Sequence, residues 1–318
     1  MKIVEQDAEI LFPESPMKHI EKIGRICYKS EDKIADGTDR KFVSMLHNNG
    51  HHAMLEHYRF IMQVNPTIYE ELAKAMPGHV EFSSYSDRLL ISMNARALME
   101  LHVNCKGTQF GYLRMAVKGI RDELITHIIR KYDCYELFGW DRDKSLPPMS
   151  TGVYFIENNP SAMSEEEWNI HGWMSVHMIT DRGISHEIVR HREETSFAQE
   201  STRYCNYGKG KFGGDITFID QGLGGNDRRA WSEVCEIAED SYFRLTNTGV
   251  RPEWARSILP TCLKTEIVMT APLYEWEHFF DLRMRGTTGR PHPLIKVLSQ
   301  MIYTEYIEEV MRNATNKN

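Results

Sequence analysis

At 318 residues, 41% of them hydrophobic, the chain can bury a full core as one large domain or two modest ones, so wholesale disorder is excluded. A formal charge of −7 excludes a broad surface for nucleic-acid polymers, which need Lys and Arg in excess on one face; phosphate has to be met locally. The six scattered cysteines exclude a disulfide framework or zinc ribbon, and neither Met1–Phe12 nor any later run has the apolar character of a signal or a membrane span, so a cytoplasmic protein with no membrane partner is expected.

Met17 to Cys27 has helical spacing, and Asp39 to Asn49 predicts a second helix closed by Gly50. Tyr58 to Val64 reads as a strand and Pro66 to Met76 as a helix stopped by Pro77-Gly78. Arg88 to Met93 is a short apolar run leading into a helix over Asn94 to His102, and Gln109 to Tyr132 predicts a long amphipathic helix. Trp140 to Ser150, charged and proline-bearing, is the best place for a linker or insertion boundary. Trp173 to Thr180 is strand-like, and Asp181 is placed to cap a short helix that buries Ile184, Ile188 and Val189. Asp215 to Ile219 follows as a strand, Asn226 to Thr246 as a long helix, Pro252 to Ile258 as a short one and Leu263 to Thr270 as a strand, before two closing helices. Without a strict βαβα rhythm, this order predicts an α+β fold, helices flanking a mostly antiparallel sheet.

Positive charge concentrates once, between Arg182 and Arg203. On a helix Glu187, Arg190 and His191 would share one face. Packing Arg190, His191 and Arg192 into one turn is costly unless an anion binds there or Glu187, Glu193, Glu194 and Glu200 compensate. An anion pocket and a solvated charged helix end both satisfy that pattern.

The residues that follow separate the two. Arg190-His191-Arg192 with Ser201-Thr202-Arg203 resembles the signature of flavin-dependent thymidylate synthases, RHR followed by seven residues, Ser, any residue, then Arg. Here eight residues, Glu193 to Glu200, intervene, so one is inserted before Ser196, to be absorbed in the turn joining the two halves. Gly50-His51-His52-Ala53-Met54-Leu55-Glu56-His57 is similar to the family's GHxSxxEH segment, with Ala53 in place of the hydroxyl. Arg25-Ile26-Cys27-Tyr28-Lys29-Ser30 resembles its ARxCY helix, Arg256-Ser257-Ile258-Leu259-Pro260 its ARxxLP run, and Trp276 to Arg283 its WxHFxxLR helix. Where the family usually has Asn-x-Arg before that helix, this chain has Pro272-Leu273-Tyr274; Ile91 to Leu98 looks like the missing element moved upstream, which makes Asn94 and Arg96 candidates for the flavin.

The resemblance implies a thymidylate-synthase-complementing-protein-like fold, a single domain over 1–318 with a family-atypical helical region at about 65–150. It implies reductive methylation of dUMP to dTMP with FAD, NADPH as reductant and methylenetetrahydrofolate as carbon donor, in a homotetramer. Arg283 is the implied catalytic residue. Glu187, Arg190, Glu200, Ser201, Thr202, Arg203, Arg256 and Arg283 are expected to bind dUMP, and His51, Arg190, His191, Arg192, Glu200, His278, Asn94 and Arg96 to bind FAD. The departures leave two alternatives open: a related flavoenzyme for another pyrimidine deoxynucleotide, and a flavin-free nucleotide-binding or structural paralogue. Asn94 and Arg96 also read simply as a helix start. Cys205 reads as a packing residue, and Trp276, Phe279 and Phe280 as core aromatics. Gly208 to Gly213 matches GxGxxG but precedes a strand and opens no helix, so a turn is expected, and the spacing of His51, His52, Glu56 and His57 does not suit a metal.

Overall fold

A computed structural model of the chain describes residues 1–75, 77–104, 111–203, 207 and 214–311. The elements run β1 (Lys2–Val4), β2 (Asp7–Ile10), α1 (Pro16–Tyr28), α2 (Thr38–Asn48), β3 (Arg59–Val64), α3 (Pro66–Ala75), β4 (Val80–Ser84), β5 (Leu89–Asn94), α4 (Ala95–Asn104), α5 (Gly111–Tyr132) and α6 (Tyr135–Phe138). They continue with β6 (Val153–Ile156), α7 (Glu165–His171), β7 (Trp173–Asp181), α8 (Arg182–Ile188), β8 (Ser196–Gln199), β9 (Thr217–Ile219), α9 (Gly225–Asn247), α10 (Pro252–Ala255), β10 (Lys264–Pro272), α11 (Leu273–Phe280) and α12 (Pro293–Glu305).

Two antiparallel sheets, ordered β2-β7-β10-β8 and β4-β5-β3-β6, carry the architecture, and β1 pairs in parallel with β9. This is the α+β class expected, with the sheet divided in two. The central pair, β7 and β10, runs in register from Trp173↔Pro272 to Asp181↔Lys264. Both strands are buried almost throughout, so they read as apolar runs rather than alternations. One core spans both sheets, from Phe60, Met62 and Ile91 to Trp173, Met178, Ile267 and the α11 aromatics, and a second, around Phe218, Tyr242 and Leu263, lies under α9. Trp276, Phe279 and Phe280 are core residues, as their spacing suggests.

The region at about 65–150 is not purely helical: β4 and β5 form a hairpin inside it, closed by a bond from the Tyr85 amide to the Arg88 carbonyl, 2.9 Å. Met76, Gln109, Tyr204, Cys205 and the Gly208–Gly213 motif lie outside the described residues. No helix among the described residues is long and apolar enough to cross a membrane.

Candidate active site

Asp181 ends β7 in an extended conformation, and its carboxylate accepts from the Ile184 amide at 2.7 Å, the cap its position suggests. Ile184 and Ile188 are buried behind the helix so started. The helix then stops sooner than its pattern implies. It ends at Ile188, and Arg190 and His191 lie in the turn beyond, closed by amide bonds back to Glu187 and Ile188 of 3.3 and 3.2 Å. The expectation that Glu187, Arg190 and His191 share a helix face is thus corrected. The physical reason is visible at the Glu187 carbonyl, which accepts a bond from Arg283 at 3.0 Å; a guanidinium from α11's end takes over one of the acceptors a helix leaves open at its C-terminus.

Arg283 also donates to the Glu187 carboxylate at 2.7 Å and, through Nε, to His191 Nε2 at 3.1 Å. Burial lowers its pKa and so does Arg190 nearby, while Glu187 raises it. His191 is buried against the Phe279 ring, 5.0 Å between centroids, and meets His278 edge-on at 5.6 Å. Burial, followed by Arg283 and His278, pushes its pKa down to about 4, so the ring is neutral. Because Nε2 accepts from Arg283, the ring proton sits on Nδ1, which is buried and has no hydrogen-bond partner among the described residues. Arg190 and Arg192 are exposed and form no salt bridge among the described residues.

A second group lies at the far end of β8. Arg256 donates to the Thr202 hydroxyl at 2.8 Å, Arg182 to the Glu200 carbonyl at 2.8 Å, and the Ser201 hydroxyl accepts from the Arg203 amide at 3.4 Å. The Arg203 side chain is exposed. Glu200 is buried, 3.8 Å from Lys29, and both line a cavity of about 590 Å³. There Glu266 is held below the usual carboxylate range: burial opposes this, but His177, Lys264 and Lys29 outweigh it.

The third group surrounds a cavity of about 410 Å³ lined by Tyr28, His51, His52 and Arg96. His51 Nδ1 is 2.9 Å from the Tyr28 hydroxyl, and Arg96 bridges Glu56 at 2.7 Å and Glu100 at 2.8 Å. Asn94 is buried rather than at the surface, and its carboxamide accepts from the Ala97 amide at 2.8 Å as a helix cap. Tyr274, in the Asn-x-Arg position, turns toward Glu81 at 3.4 Å. Glu56 ties this group to the first, because its other oxygen accepts from Ser196 at 3.0 Å, just past the RHR turn.

Residue by residue, then, the candidates for the flavin (His51, Arg96, Arg190, His191, Arg192 and His278) lie in two groups linked through Glu56, with Asn94 at the head of the Arg96 helix, while Glu200, also expected at the flavin, lies apart from both at the far end of β8. The nucleotide candidates are split: Glu187, Arg190 and Arg283 at one end of β8, and Glu200, Ser201, Thr202, Arg203 and Arg256 at the other. Two further residues escaped sequence reasoning. Glu275, buried on α11 with its pKa raised by burial and then by Glu193, falls in no motif. Lys29 falls within the segment that resembles the ARxCY helix but one place past the pattern's own letters, so the resemblance attaches no role to it.

The fold and the arginine-bearing turns define an α+β protein with anion-binding potential at both ends of one short strand. Residues 168–310 match the family described as thymidylate synthase complementing protein. Curated proteins named flavin-dependent thymidylate synthase are similar: that of Pyrococcus furiosus is 36% identical over 106 residues, 32% of this chain and 42% of that protein. The Geobacter sulfurreducens protein is 32% identical over 106 residues, 32% of this chain and 43% of its own length, and the Synechocystis protein 26% identical over 162 residues, 46% and 74%. The chain thus spans 42% and 43% of the length of the first two. A solved UMP/dUMP methylase, PolB from Streptomyces cacaoi bound with 5-Br dUMP, shares 14% identity at a TM-score of 0.41, covering 100% of this chain and 97% of that one. Residues 168–310, which contain the Arg190 to Arg203 signature, are thus similar to the thymidylate synthase complementing protein family.

Proposed function

We propose that the chain catalyses the reductive methylation of dUMP to dTMP, using FAD, NADPH and methylenetetrahydrofolate. The observation that carries the reading is the Arg283 guanidinium, fixed by Glu187 and neutral His191 near Arg190 and Arg192, which are exposed and form no salt bridge among the described residues.

C5 of uracil is a weak nucleophile and becomes reactive when negative charge drawn into the ring is stabilised at N3 and O4, a task suited to a preorganised guanidinium. Glu187 takes both terminal nitrogens of the Arg283 fork, one through its carboxylate and one through its carbonyl, and so orients the guanidinium. The residues fit a flavin nucleotide: the buried Nδ1–H of His191, a donor without a partner among the described residues, would be satisfied by a ligand acceptor, and Arg190 and Arg192 offer planar donors to a diphosphate. His51 and Arg96 would extend that contact surface within their cavity. Bound FAD would supply the electrons that NADPH recharges, and the folate the carbon. Arg203, Ser201, Thr202 and Arg256 suit the nucleotide phosphate.

β8 separates these two arginine groups by four residues of strand, about 13 Å at the usual rise. That separation supports a homo-oligomer, a tetramer by family resemblance, in which one copy's Arg283 faces another's Arg256. We further infer one domain over 1–318, since a single core joins both sheets. Tyr274 in the family's arginine position favours a second reading, another pyrimidine deoxynucleotide. Turnover assays with dUMP and dCMP decide: methylation of dUMP alone is expected, preference for dCMP overturns the substrate, and a colourless protein that takes up no FAD overturns the whole reading.

A further inference from the structure

The residue added to the RHR signature falls within the turn between Arg192 and Ser196, and the structure shows what that turn does with it. Glu194 adopts a left-handed backbone, φ 49°, as few non-glycine residues do. Its carboxylate is turned inward, with the side chain 18% exposed. One oxygen lies 3.1 Å from His79 Nδ1 and the other 3.6 Å from the Arg59 guanidinium, whose side chain is only 2% exposed and is also paired with Glu81. Arg59 opens β3 and His79 immediately precedes β4, so both partners belong to the sheet opposite the one that β8 joins. Within the turn, Thr195 bonds back to the Glu193 carbonyl at 2.8 Å, and Ser196 closes it on Glu56 at 3.0 Å. The turn is therefore tethered twice to the segment around Glu56 and Arg59.

We propose that Glu194 is a positioning residue, whose grip on Arg59 and His79 fixes the turn that presents Arg190, His191 and Arg192 and so sets their reach toward the flavin. The inference rests on the proposed function for its ligand, but the tether itself does not. Its strength is pH-sensitive, because one of the two partners is a histidine. His79 is held above its ordinary pKa by its bond to Glu194, against burial, with Glu194 and Glu56 adding negative charge and Arg59 opposing. Glu194 is held low: burial opposes this, and His79 and Arg59 outweigh it. Tyr274 and Glu275 of α11 face the same carboxylate. As pH rises through the titration of His79, one charged tether is lost and Arg59 remains.

Hydrogen–deuterium exchange of the segment 190–195 and FAD affinity, each measured in wild type and Glu194→Gln at about pH 6.5 and about pH 8.5, test this. Glu194→Gln keeps volume and removes charge. It is expected to speed exchange and weaken FAD binding, each about tenfold at the lower pH, with the difference shrinking at the higher pH while the melting temperature moves little. Unchanged exchange, or faster exchange with unaltered FAD affinity, overturns the proposal. If wild type binds no FAD, the proposed function fails separately, and the exchange arm alone decides whether the tether exists.

Discussion

Arg283 shows how one side chain joins three tasks: it completes the end of α8, meets a carboxylate, and fixes the tautomer of His191. Lysine could keep the charge but not the fork. Arg283→Lys is therefore expected to lower kcat/KM for dUMP by at least about a hundredfold, much as a lost preorganised donor does elsewhere. Steady-state kinetics on a variant that melts like wild type would show it; a kcat/KM within about threefold of wild type would remove Arg283 from the chemistry. At this scale the arginines stand out in the sequence, because their residue types and spacing are themselves the signal. The sequence also names Glu187 and Glu194 as acids able to compensate the turn and holds Glu56 within a motif, but it does not give their partners. Glu194 meets Arg59 and His79, and Glu56 meets Arg96 and Ser196, across large gaps in the chain, and no local pattern records such a meeting.

Among the elements, α8 is the one on which the candidate site turns, and it is only seven residues long. So short a helix depends on its caps and on Ile184 and Ile188 more than on propensity. Asp181→Ala removes the cap and also the Asp181 bond to Gln221, 3.0 Å. A loss of about 1–2 kcal/mol in chemical denaturation is expected, and a loss below about 0.3 kcal/mol would mean that the cap is not what starts the helix. The long elements were legible because their periodicity repeats: α1, α2 and α9 lie within a residue or two of their expected bounds, as do β7 and β10. The short strands were not. β1, β2, β4, β6 and β8 have three to five residues each, too few to show a period, and their pairing is long-range. The missed α7 did carry a readable sign, the capping box from Ser164 to Glu167 that the structure forms.

Taken whole, the molecule keeps several histidines neutral inside its core. Burial drives His19 and His57 to about 3, and His171 and His191 to about 4. Unfolded, each would titrate near 6.5, so from there down to about 4 the unfolded chain binds more protons and stability falls as pH falls; above that window these groups contribute no pH dependence. Glu275 and Glu305, held high by burial, oppose the trend, and the histidines outnumber them. Melting is expected to drop by about 5 °C or more between about pH 7 and about pH 5, and an unchanged or higher Tm would contradict the buried neutral rings.

The split of the nucleotide candidates across β8 has its own consequence. Arg283→Ala and Arg256→Ala homo-oligomers should each be inactive, while co-expressed chains should regain up to about a quarter of wild-type turnover, since mixed interfaces can combine one intact group from each copy. Activity that stays absent in the mixture, with mixed oligomers demonstrated, would place both arginines in one copy's site.

The most direct measurement takes the purified protein under anaerobic conditions, reduces its bound flavin with NADPH, adds dUMP and methylenetetrahydrofolate, and follows flavin absorbance while dTMP is quantified. The flavin should bleach, then recover its colour in step with dTMP, about one per flavin. Recovery without dTMP, or no bleaching by NADPH in a flavin-loaded protein, would contradict the account.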